Sequence, residues 1–396
     1  GGNVMSALIV KLGDICNIQS GGTPSRGKSE FWEGGCIPWV KISDMHGKFL
    51  SQTEEYITDA GLAASSAKMF SRGTILYTIF ATLGETCILN IDATTNQAIA
   101  GISVKHEFAA EIAVEYLYYF LMSIKEHVMR VGRGVAQNNI NLRILRNVNI
   151  VLPSLERQNE IVRRLSDVES MLSLRQRQAE KLDELVKARF VEMFGDPVRN
   201  TKQFPLVELQ DLYDVSSSKR VYQDEMVLDG IPFLRISDIV EKSTNDKCTP
   251  QCFISQEMYD QLSQKGLTPN VGDILVTSRG TLGLCYEVKP GEKFYFQDGM
   301  ISWLYNRKDC VINTYLLYAF RLPGIRKQID GSNDGSTVSY LSIARLKRLK
   351  IELPPLALQT EFSHFVHEVD REKERIQRSA ALLETLKRSL MQQYFG

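Results

Sequence analysis

The hydrophobic pattern is most regular in two long stretches, Arg157 to Gly195 and Leu358 to Gly396, which contain no Pro and no Gly before the last residue. In both, apolar or small residues alternate four and three apart, which is the period of a coiled-coil seam. At about 1.5 Å per residue, each predicted helix is roughly 55 Å long. The first seam contains Ile161, Leu165, Val168, Leu172, Ala179, Leu182 and Val186, and the second contains Phe362, Val366, Val369, Ile376, Ala380, Leu383 and Leu390.

Charged residues interrupt the two seams at different places. Arg175 interrupts the first, and Lys373 and Lys387 interrupt the second. Because Leu172 then Arg175 in one copy corresponds to Lys373 then Ile376 in the other, the interruptions are exchanged between the copies. We therefore expect the helices to pair within one chain, with a homodimeric coiled coil as the alternative.

The segments before each helix carry patterns of short strands and one helix. A strand is expected at Ile37 to Ile42, two strands about a turn at Gly73 to Leu89, and a helix at Val114 to Val131. The same order recurs later in the chain: IPWVKISD at Ile37 matches IPFLRISD at Ile231 in five of eight residues, and GTILYTIFATLG at Gly73 matches GDILVTSRGTLG at Gly272 in seven of twelve. LPSLERQNEI and LPPLALQTEF then precede the two helices. A repeat of this length indicates a duplicated domain.

Composition limits the function classes. The chain has 396 residues and a net charge of +0, and each domain and each helix taken alone carries equal numbers of basic and acidic residues. Phosphate attraction, if DNA is bound, must therefore be local or come from partners. The seven cysteines are scattered, which favours a reducing cytoplasm. No apolar run is long enough to cross a bilayer.

The sequence shows no catalytic motif. It lacks an Asn/Asp-Pro-Pro-Tyr methyltransferase motif, a glycine-rich turn for a methyl donor and a phosphate-binding loop. Cys248 with Cys252, and His364 with His367, lack the further ligands that a zinc site needs. An enzyme, either a fused methyltransferase or a nuclease, is therefore disfavoured.

The ordered double set of motifs (KLGDI, IPW-KISD, G-IL-T--ATLG, LP-L--Q--I and a long helix ending in Phe-Gly) resembles the specificity subunit of type I restriction-modification systems. The resemblance covers Lys11 to Gly396 and implies an α+β fold. Residues 11–155 and 196–357 would be tandem target-recognition domains. Residues 156–195 and 358–396 would be spacer helices that pair as an antiparallel coiled coil with pseudo-twofold symmetry.

The resemblance also implies a function. Each domain would read one half of a bipartite site on double-stranded DNA, and half-sites about 34 to 36 Å apart lie on one face of B-DNA. Two methyltransferase subunits and two motor-nuclease subunits would assemble on the chain, which would be non-catalytic, cytoplasmic and not bound to a membrane. S-adenosylmethionine, ATP and Mg would belong to those partners, with no cofactor or metal in this chain. The alternative is a coiled-coil adaptor that binds protein and not DNA, which the neutral charge favours.

Candidate contact residues are polar or basic residues in the loops of the two domains, since base edges are read by such side chains. The first domain offers Ser20, Thr23, Arg26, Lys28, Lys41, Ser43, Thr82, Asn96, Gln97, Arg133, Gln137, Asn138 and Asn139. The second offers Lys219, Arg220, Arg235, Ser237, Ser278, Arg279, Thr281, Gln297, Asn333 and Ser336. Arg279 is favoured because it stands alone between Ser278 and Gly280 in an apolar strand pair. Partner-binding candidates on the first helix are Arg163, Arg164, Arg175 and Arg177.

Overall fold

A computed structural model describes residues 8–132, 141–195, 200–245, 248–330 and 340–396. The chain forms two compact units. The first unit contains the chain up to Gln176 together with Arg378–Gly396, and the second contains Arg177–Gln377. Each unit therefore combines one mixed domain with segments of both long helices.

The first domain has ten strands and five helices among its described residues. Its strands are β1 (Leu8–Lys11), β2 (Cys16–Ser20), β3 (Ile37–Val40), β4 (Phe49–Leu50), β5 (Glu55–Ile57), β6 (Ile75–Thr78), β7 (Thr86–Leu89), β8 (Thr94–Thr95), β9 (Ile99–Val104) and β10 (Asn149–Leu152). Its helices are α1 (Leu12–Ile15), α2 (Asp59–Ala63), α3 (Val114–Ser123), α4 (Lys125–Gly132) and α5 (Leu142–Arg146), and the long helix α6 (Leu155–Phe194) follows.

The second domain repeats this order in its described part. Its strands are β11 (Leu206–Glu208), β12 (Asp214–Ser217), β13 (Met226–Val227), β14 (Ile231–Leu234), β15 (Phe253–Ile254), β16 (Ile274–Thr277), β17 (Cys285–Glu287), β18 (Tyr295–Phe296), β19 (Ile301–Tyr305) and β20 (Lys350–Glu352). Its helices are α7 (Leu209–Leu212), α8 (Ile236–Asn245), α9 (Gln256–Gln264), α10 (Asn313–Arg321), α11 (Pro323–Asp330) and α12 (Ile343–Lys347), and α13 (Leu356–Phe395) is the second long helix.

Both domains are built from two small sheets and a ribbon. In the first, the strand orders are β2-β9-β6-β7-β4 and β5-β3-β8, and β1 pairs with β10. In the second, they are β12-β19-β16-β17 and β13-β15-β14-β18, and β11 pairs with β20. The matching orders confirm the predicted duplication and the α+β class.

The central strand β6 shows how the core is arranged. All four of its residues are buried. Ile75 and Tyr77 pack in one cluster with Leu117 on α3, whereas Leu76 lies in another cluster with Val40 on β3. Successive side chains of a strand point to opposite faces, so β6 separates a helix layer from the second sheet.

The predicted helix from Val114 to Val131 is two helices, α3 and α4. At the end of α3 the Phe120 carbonyl accepts two bonds, one from the Ser123 hydroxyl at 2.7 Å and one from Ile124 N–H at 3.2 Å. The strand expected at Ile37 to Ile42 ends at Val40, because Ile42–Asp44 forms a 3₁₀ turn.

The long helices pair in antiparallel fashion within the chain, as expected. In the first unit, Arg164 of α6 bonds Tyr394 at 3.3 Å and Arg175 bonds Ser379 at 3.1 Å. In the second, the residue numbers again rise on one helix as they fall on the other, since Asp183 bonds Lys373 and Arg189 bonds Glu361, both at 2.6 Å. The predicted seam residues are all buried or half-buried.

Charged residues inside the seam find partners on the opposite helix. Lys373 bonds Asp183 at 2.6 Å in the second unit, and Lys387 pairs with Glu169 at 2.9 Å in the first. The lysines that interrupt the second seam therefore form ion pairs that join the two helices.

A repeated glutamine fixes the start of each long helix. Gln158 is 1 % exposed, accepts from Ala113 N–H at 2.9 Å and donates to the carbonyls of Glu111 and Pro153, both at 2.9 Å. Gln359, which is fully buried, makes the equivalent three bonds with Ile312, Cys310 and Pro354. This explains the Gln of the repeated LP-L--Q motif: it holds the helix start against the turn that precedes α3 or α10.

The repeated Phe-Gly ends are packing anchors. Phe194, at the end of α6, packs on Tyr315 of α10 with ring centroids 4.9 Å apart. Phe395, at the end of α13, packs on Tyr116 of α3 with centroids 5.2 Å apart. The end of α13 thus completes the core of the first domain, and the end of α6 completes that of the second.

Candidate nucleic-acid interface

Four strand ends of the first domain meet at one edge. Gly22 N–H, after β2, donates to the Thr95 carbonyl at 2.8 Å, and Asn96 N–H donates to the Val40 carbonyl at the end of β3 at 3.1 Å. Ile79, after β6, donates its N–H to Ala98 at 2.8 Å. The loops with the described candidates of this domain therefore leave the fold side by side, and we name this the reading edge.

The glycine-rich loop after β2 is held close to the sheet. A Cβ on Gly21 would lie 2.3 Å from the Thr95 carbonyl oxygen, so no larger residue fits there. Thr23 donates its hydroxyl to the Gln97 side chain, and the Trp39 indole donates to the Gly22 carbonyl at 3.0 Å. The loop is thus ordered before any ligand arrives.

The Arg26 side chain of this loop contacts other residues of the same domain. Its guanidinium lies 3.7 Å from the ring centroid of Trp32 and 4.7 Å from that of Trp39, and it forms an ion pair with Glu55 at 2.5 Å. Lys41 pairs with the same Glu55 at 2.9 Å and with Glu54 at 3.0 Å.

These contacts favour the charged forms of the side chains at the reading edge. The hydrogen bond from Arg26, then that from Lys41, lowers the pKa of Glu55. Hydrogen bonds to Glu55 and Glu54 raise the pKa of Lys41 to about 12. Both cations therefore face carboxylates across the neutral pH range, which leaves little positive charge for DNA phosphate in this part of the edge.

The turn between β6 and β7 has a fixed backbone. The Thr78 hydroxyl donates to the Thr82 carbonyl and accepts from Glu85 N–H at 2.8 Å. Ala81 has φ +58°, a left-handed conformation that is uncommon for a residue with a side chain and that clusters at functional sites. The turn exposes Thr82 and also Phe80, which is 38 % exposed. Selection of polar and basic residues left out Phe80, which is apolar. Its alignment with Arg279 in the repeat would have made it a candidate.

The second domain builds an equivalent edge. Gln297 N–H donates to the Leu234 carbonyl at 3.0 Å, and Ser278 N–H donates to Met300 at 2.8 Å. The Ser218 hydroxyl, after β12, donates to the Phe296 carbonyl at 2.7 Å. The ends of β12, β14, β16 and β18 therefore meet as their counterparts do in the first domain.

Arg279 stands at the tip of the second turn. Its backbone frame matches the first: the Thr277 hydroxyl donates to the Thr281 carbonyl and accepts from Leu284 N–H at 3.0 Å, and Gly280 has φ +65°. Arg279 is exposed and lies 5.3 Å from the Tyr340 ring centroid. Within the described part of the chain it has no ion pair, so its donors are available to a ligand.

Other candidates of the second domain differ in what they offer. Arg220 pairs with Asp298 at 3.0 Å, and Arg235 donates to the Cys252 sulfur. Lys219, Ser237 and Thr281 are exposed, and Gln297 is half-buried. Ser278 is 1 % exposed and its hydroxyl bonds Ser302 at 2.8 Å. The Ser278 side chain is therefore not presented at the edge.

The remaining candidates of the first domain are placed as follows. Ser20 and Asn96 are half-buried at the edge, Ser43 and Lys28 are exposed, and Lys28 lies 3.8 Å from Glu30. Six candidates lie outside the described residues, namely Arg133, Gln137, Asn138, Asn139, Asn333 and Ser336.

The aspartate of the repeated ISD motif bonds the backbone at the edge. Asp44 accepts from Lys41 N–H at 2.7 Å, and Asp238 accepts from Arg235 N–H at 2.7 Å. Each aspartate caps the turn or helix that begins after β3 or β14. This bond fixes the backbone of the basic residue at the strand end, which is Lys41 in the first domain and Arg235 in the second.

The helix arginines lie on different faces. Arg163 and Arg177 are exposed. Arg164 bonds Glu160 at 2.7 Å, and Arg175 is half-buried in the seam, where it bonds Ser379. Arg175 is thus occupied inside the helix pair.

Across the described residues, no group of three or more His, Cys, Asp or Glu is arranged to hold a metal ion. All seven cysteines are free thiols. No described helix has the length and apolar character needed to span a membrane.

Comparison with known proteins matches both halves of the chain. The family model described as the type I restriction modification DNA specificity domain matches residues 8–184 and again residues 202–384. The MjaIX specificity subunit of Methanocaldococcus jannaschii, a type I restriction enzyme subunit, is 26 % identical over 390 residues, which cover 90 % of this chain and 85 % of that protein.

Two solved structures share the fold. An S subunit of the type I restriction-modification system of M. genitalium has a TM-score of 0.53 and 15 % identity, with 100 % of this chain and 97 % of that chain covered. A chain from a structure concerned with complex assembly and conformational transition of the type I R-M system has a TM-score of 0.59 and 18 % identity, with 99 % and 98 % covered.

Proposed function

The chain belongs to the type I restriction modification DNA specificity family, and from that premise we propose that it is the specificity subunit that selects a bipartite DNA site. Each domain reads one half-site with its reading edge, and the bases between the half-sites are not read. The observation that carries the proposal is the duplicated edge itself: in both domains four strand ends meet, and a turn with the same backbone bonds projects exposed side chains.

The reading residues that we propose are the exposed or half-buried candidates of the two edges. In the second domain Arg279 and Lys219 supply positive charge without a carboxylate partner among the described residues. In the first, Thr82, Asn96 and Gln97 supply polar groups, while Arg26 and Lys41 order the loops through Glu55. Local charge of this kind is compatible with a neutral chain if partners supply most of the phosphate contacts.

The chain selects the site, and the chemistry belongs to its partners. We propose that two methyltransferase subunits and two motor-nuclease subunits assemble with it, that they carry S-adenosylmethionine, ATP and Mg, and that the complex works in the cytoplasm. The free thiols fit a reducing compartment. The protein-binding adaptor loses its support, because a neutral chain is no obstacle when partners hold the DNA backbone.

The test is to co-express the chain with its cognate methyltransferase subunit and to map methylated adenines across the host genome. We expect one split motif, with a methylated adenine in each half and a gap of fixed length. Replacing residues 11 to 150 by the domain of a relative should change one half only. Absence of methylation while both subunits are soluble and associated would favour the adaptor.

Partner docking involves the exposed faces of the helix pair. We expect charge reversal at Arg163, Arg164 and Arg177 to weaken association with the methyltransferase subunit more than it changes the preferred sequence. Arg175 is left out, because its reversal would break the seam bond with Ser379. A pull-down with unchanged recovery of the partner would contradict this assignment.

A further inference from the structure

The turns β6–β7 and β16–β17 have the same backbone and different tips. In each, a buried threonine holds the turn through the carbonyl four residues on and the N–H seven residues on. The second residue of the tip is left-handed in both, with φ +58° at Ala81 and φ +65° at Gly280. The residue just before it is Phe80 in one domain and Arg279 in the other.

Ala81 is left-handed although it is not glycine, and in this it differs from Gly280. Glycine adopts this conformation without penalty, whereas a residue with a Cβ is held there at some cost by its surroundings. The first domain keeps the turn geometry although it lacks the glycine. The frame is therefore set by the threonine bonds, and the tip side chain is the part that varies.

We infer that the tip residue of each turn reads one base: Phe80 contacts a thymine methyl group in the first half-site, and Arg279 binds guanine in the second. This rests on the proposed function. The assignment follows from the chemistry of the two side chains. Phenylalanine has no donor or acceptor, and the apolar feature of base edges in the major groove is the thymine methyl. The guanidinium fork matches the O6 and N7 acceptors of guanine.

The surroundings of Arg279 suit this role better than those of the other basic candidates. A ring contact with Tyr340 occupies none of its five N–H donors, whereas Arg26, Arg220 and Lys41 place donors on carboxylates. The Leu341 N–H donates to the Ser278 carbonyl at 3.0 Å. The segment that carries Tyr340 is thereby fixed beside the turn, and the ring orients the arginine before DNA is bound.

Exchange of the tips tests the inference. The double variant Phe80→Arg/Ala81→Gly transplants the tip of the second turn onto the first. In the complex with the cognate methyltransferase subunit, we expect the first half-site to change from thymine to guanine at one position, with about ten-fold or greater discrimination. The second half-site should not change. The matched control Phe80→Ala should relax the same position, and Arg279→Phe should replace guanine by thymine in the second half-site.

The outcomes separate this inference from the proposed function. If the wild-type complex gives no split motif, the proposed function fails. If the wild type gives the motif and the tip variants keep both half-sites unchanged, the tip inference alone is overturned. If Phe80→Ala and the double variant both lose methylation of the whole motif while the complex assembles and melts as the wild type does, the tip supports general binding and not base choice, which also overturns it.

Discussion

Lys48 in the first unit and Lys242 in the second occupy equivalent positions, four residues after the aspartate of ISD, yet they bond differently. Lys48 pairs with Glu115 and donates to the Tyr119 hydroxyl at 3.2 Å and the Ser166 hydroxyl at 3.1 Å. It therefore joins a loop of the recognition domain to α3 and to α6. Lys242 instead pairs with Glu292 of its own domain at 2.5 Å.

The network of the first unit continues across the helix pair. The Tyr119 hydroxyl donates to Glu169 at 2.7 Å, and Glu169 pairs with Lys387 of α13 at 2.9 Å. In the second unit the equivalent residues line an open polar cleft of about 600 Å³: Thr314, Tyr318, His367 and Asp370. Duplication has thus kept the fold and changed the polar bonds that join each domain to its helix segments, since in the second unit the Thr314 hydroxyl accepts from Ser363 of α13 at 3.2 Å.

The largest effect is expected where the two units are alike. Gln158→Leu and Gln359→Leu each remove three hydrogen bonds and leave buried polar backbone groups unpaired, so each should lower the stability of its own unit by about 3 kcal/mol. Hydrogen exchange resolved along the chain would measure this. Gln393→Leu, on an exposed face of α13, is the control and should change stability by less than about 0.5 kcal/mol. Unequal losses in the two units would contradict the equivalence of the two anchors.

The next effect separates the units. Lys48→Met should destabilise the junction of α3 with α6 by about 2 kcal/mol, because it leaves Glu115 without its charge partner in a half-buried site. Lys242→Met should leave exchange at the junction of α10 with α13 unchanged, since Lys242 bonds within the domain. Faster hydrogen exchange at both junctions, or at neither, would show that Lys48 and Lys242 do not differ in how they join the domains to the helices.

Arg279→Ala probes the asymmetry of charge. It should cost about 1 to 3 kcal/mol in DNA binding and relax the second half-site only. Binding of the assembled complex to oligonucleotides altered in one half at a time measures this. An equal loss on every sequence, or no loss, would show that Arg279 does not read a base.

The smallest effect concerns a tyrosine that the second unit lacks. Tyr77 is fully buried, and its hydroxyl has no hydrogen-bond partner among the described residues, while Val276 takes the equivalent place. Tyr77→Phe should therefore stabilise the first unit by about 1 kcal/mol. Tyr116→Phe is the matched control, because the Tyr116 hydroxyl donates to Val151 at 2.8 Å; it should destabilise by about 1 kcal/mol. Thermal unfolding of both variants distinguishes the signs.

Local patterns in the sequence predict much of the fold. The heptad seams predict both long helices within about two residues, because the period of an amphipathic helix is set by near neighbours. The repeated motifs predict the duplicated strand order for a similar reason. The break at Ile124 is not predicted, because no Pro or Gly marks it and the apolar pattern continues across it.

The reading edge is less accessible to such reasoning. Arg26 and Lys41 were chosen by residue type, and their pairing with Glu55 depends on the folding of β5 beside β3. Ser278 was chosen as a polar residue next to Arg279, but the alternation of the strand turns it inward to Ser302. Long-range contacts decide which of two adjacent polar residues faces the solvent, and a single sequence does not contain them.

The packing of Phe395 and Tyr394 into the first domain has a consequence for biosynthesis. The first domain is translated before the second, and its core lacks the α13 residues until nearly 280 positions after Tyr116 have been translated. Chains generally fold domain by domain from the amino terminus during synthesis, and here the first domain has to wait in an incomplete state. A premature stop codon shortly before Leu390 would therefore damage the first domain, while the second domain, whose helix segments are all made by then, would keep its core.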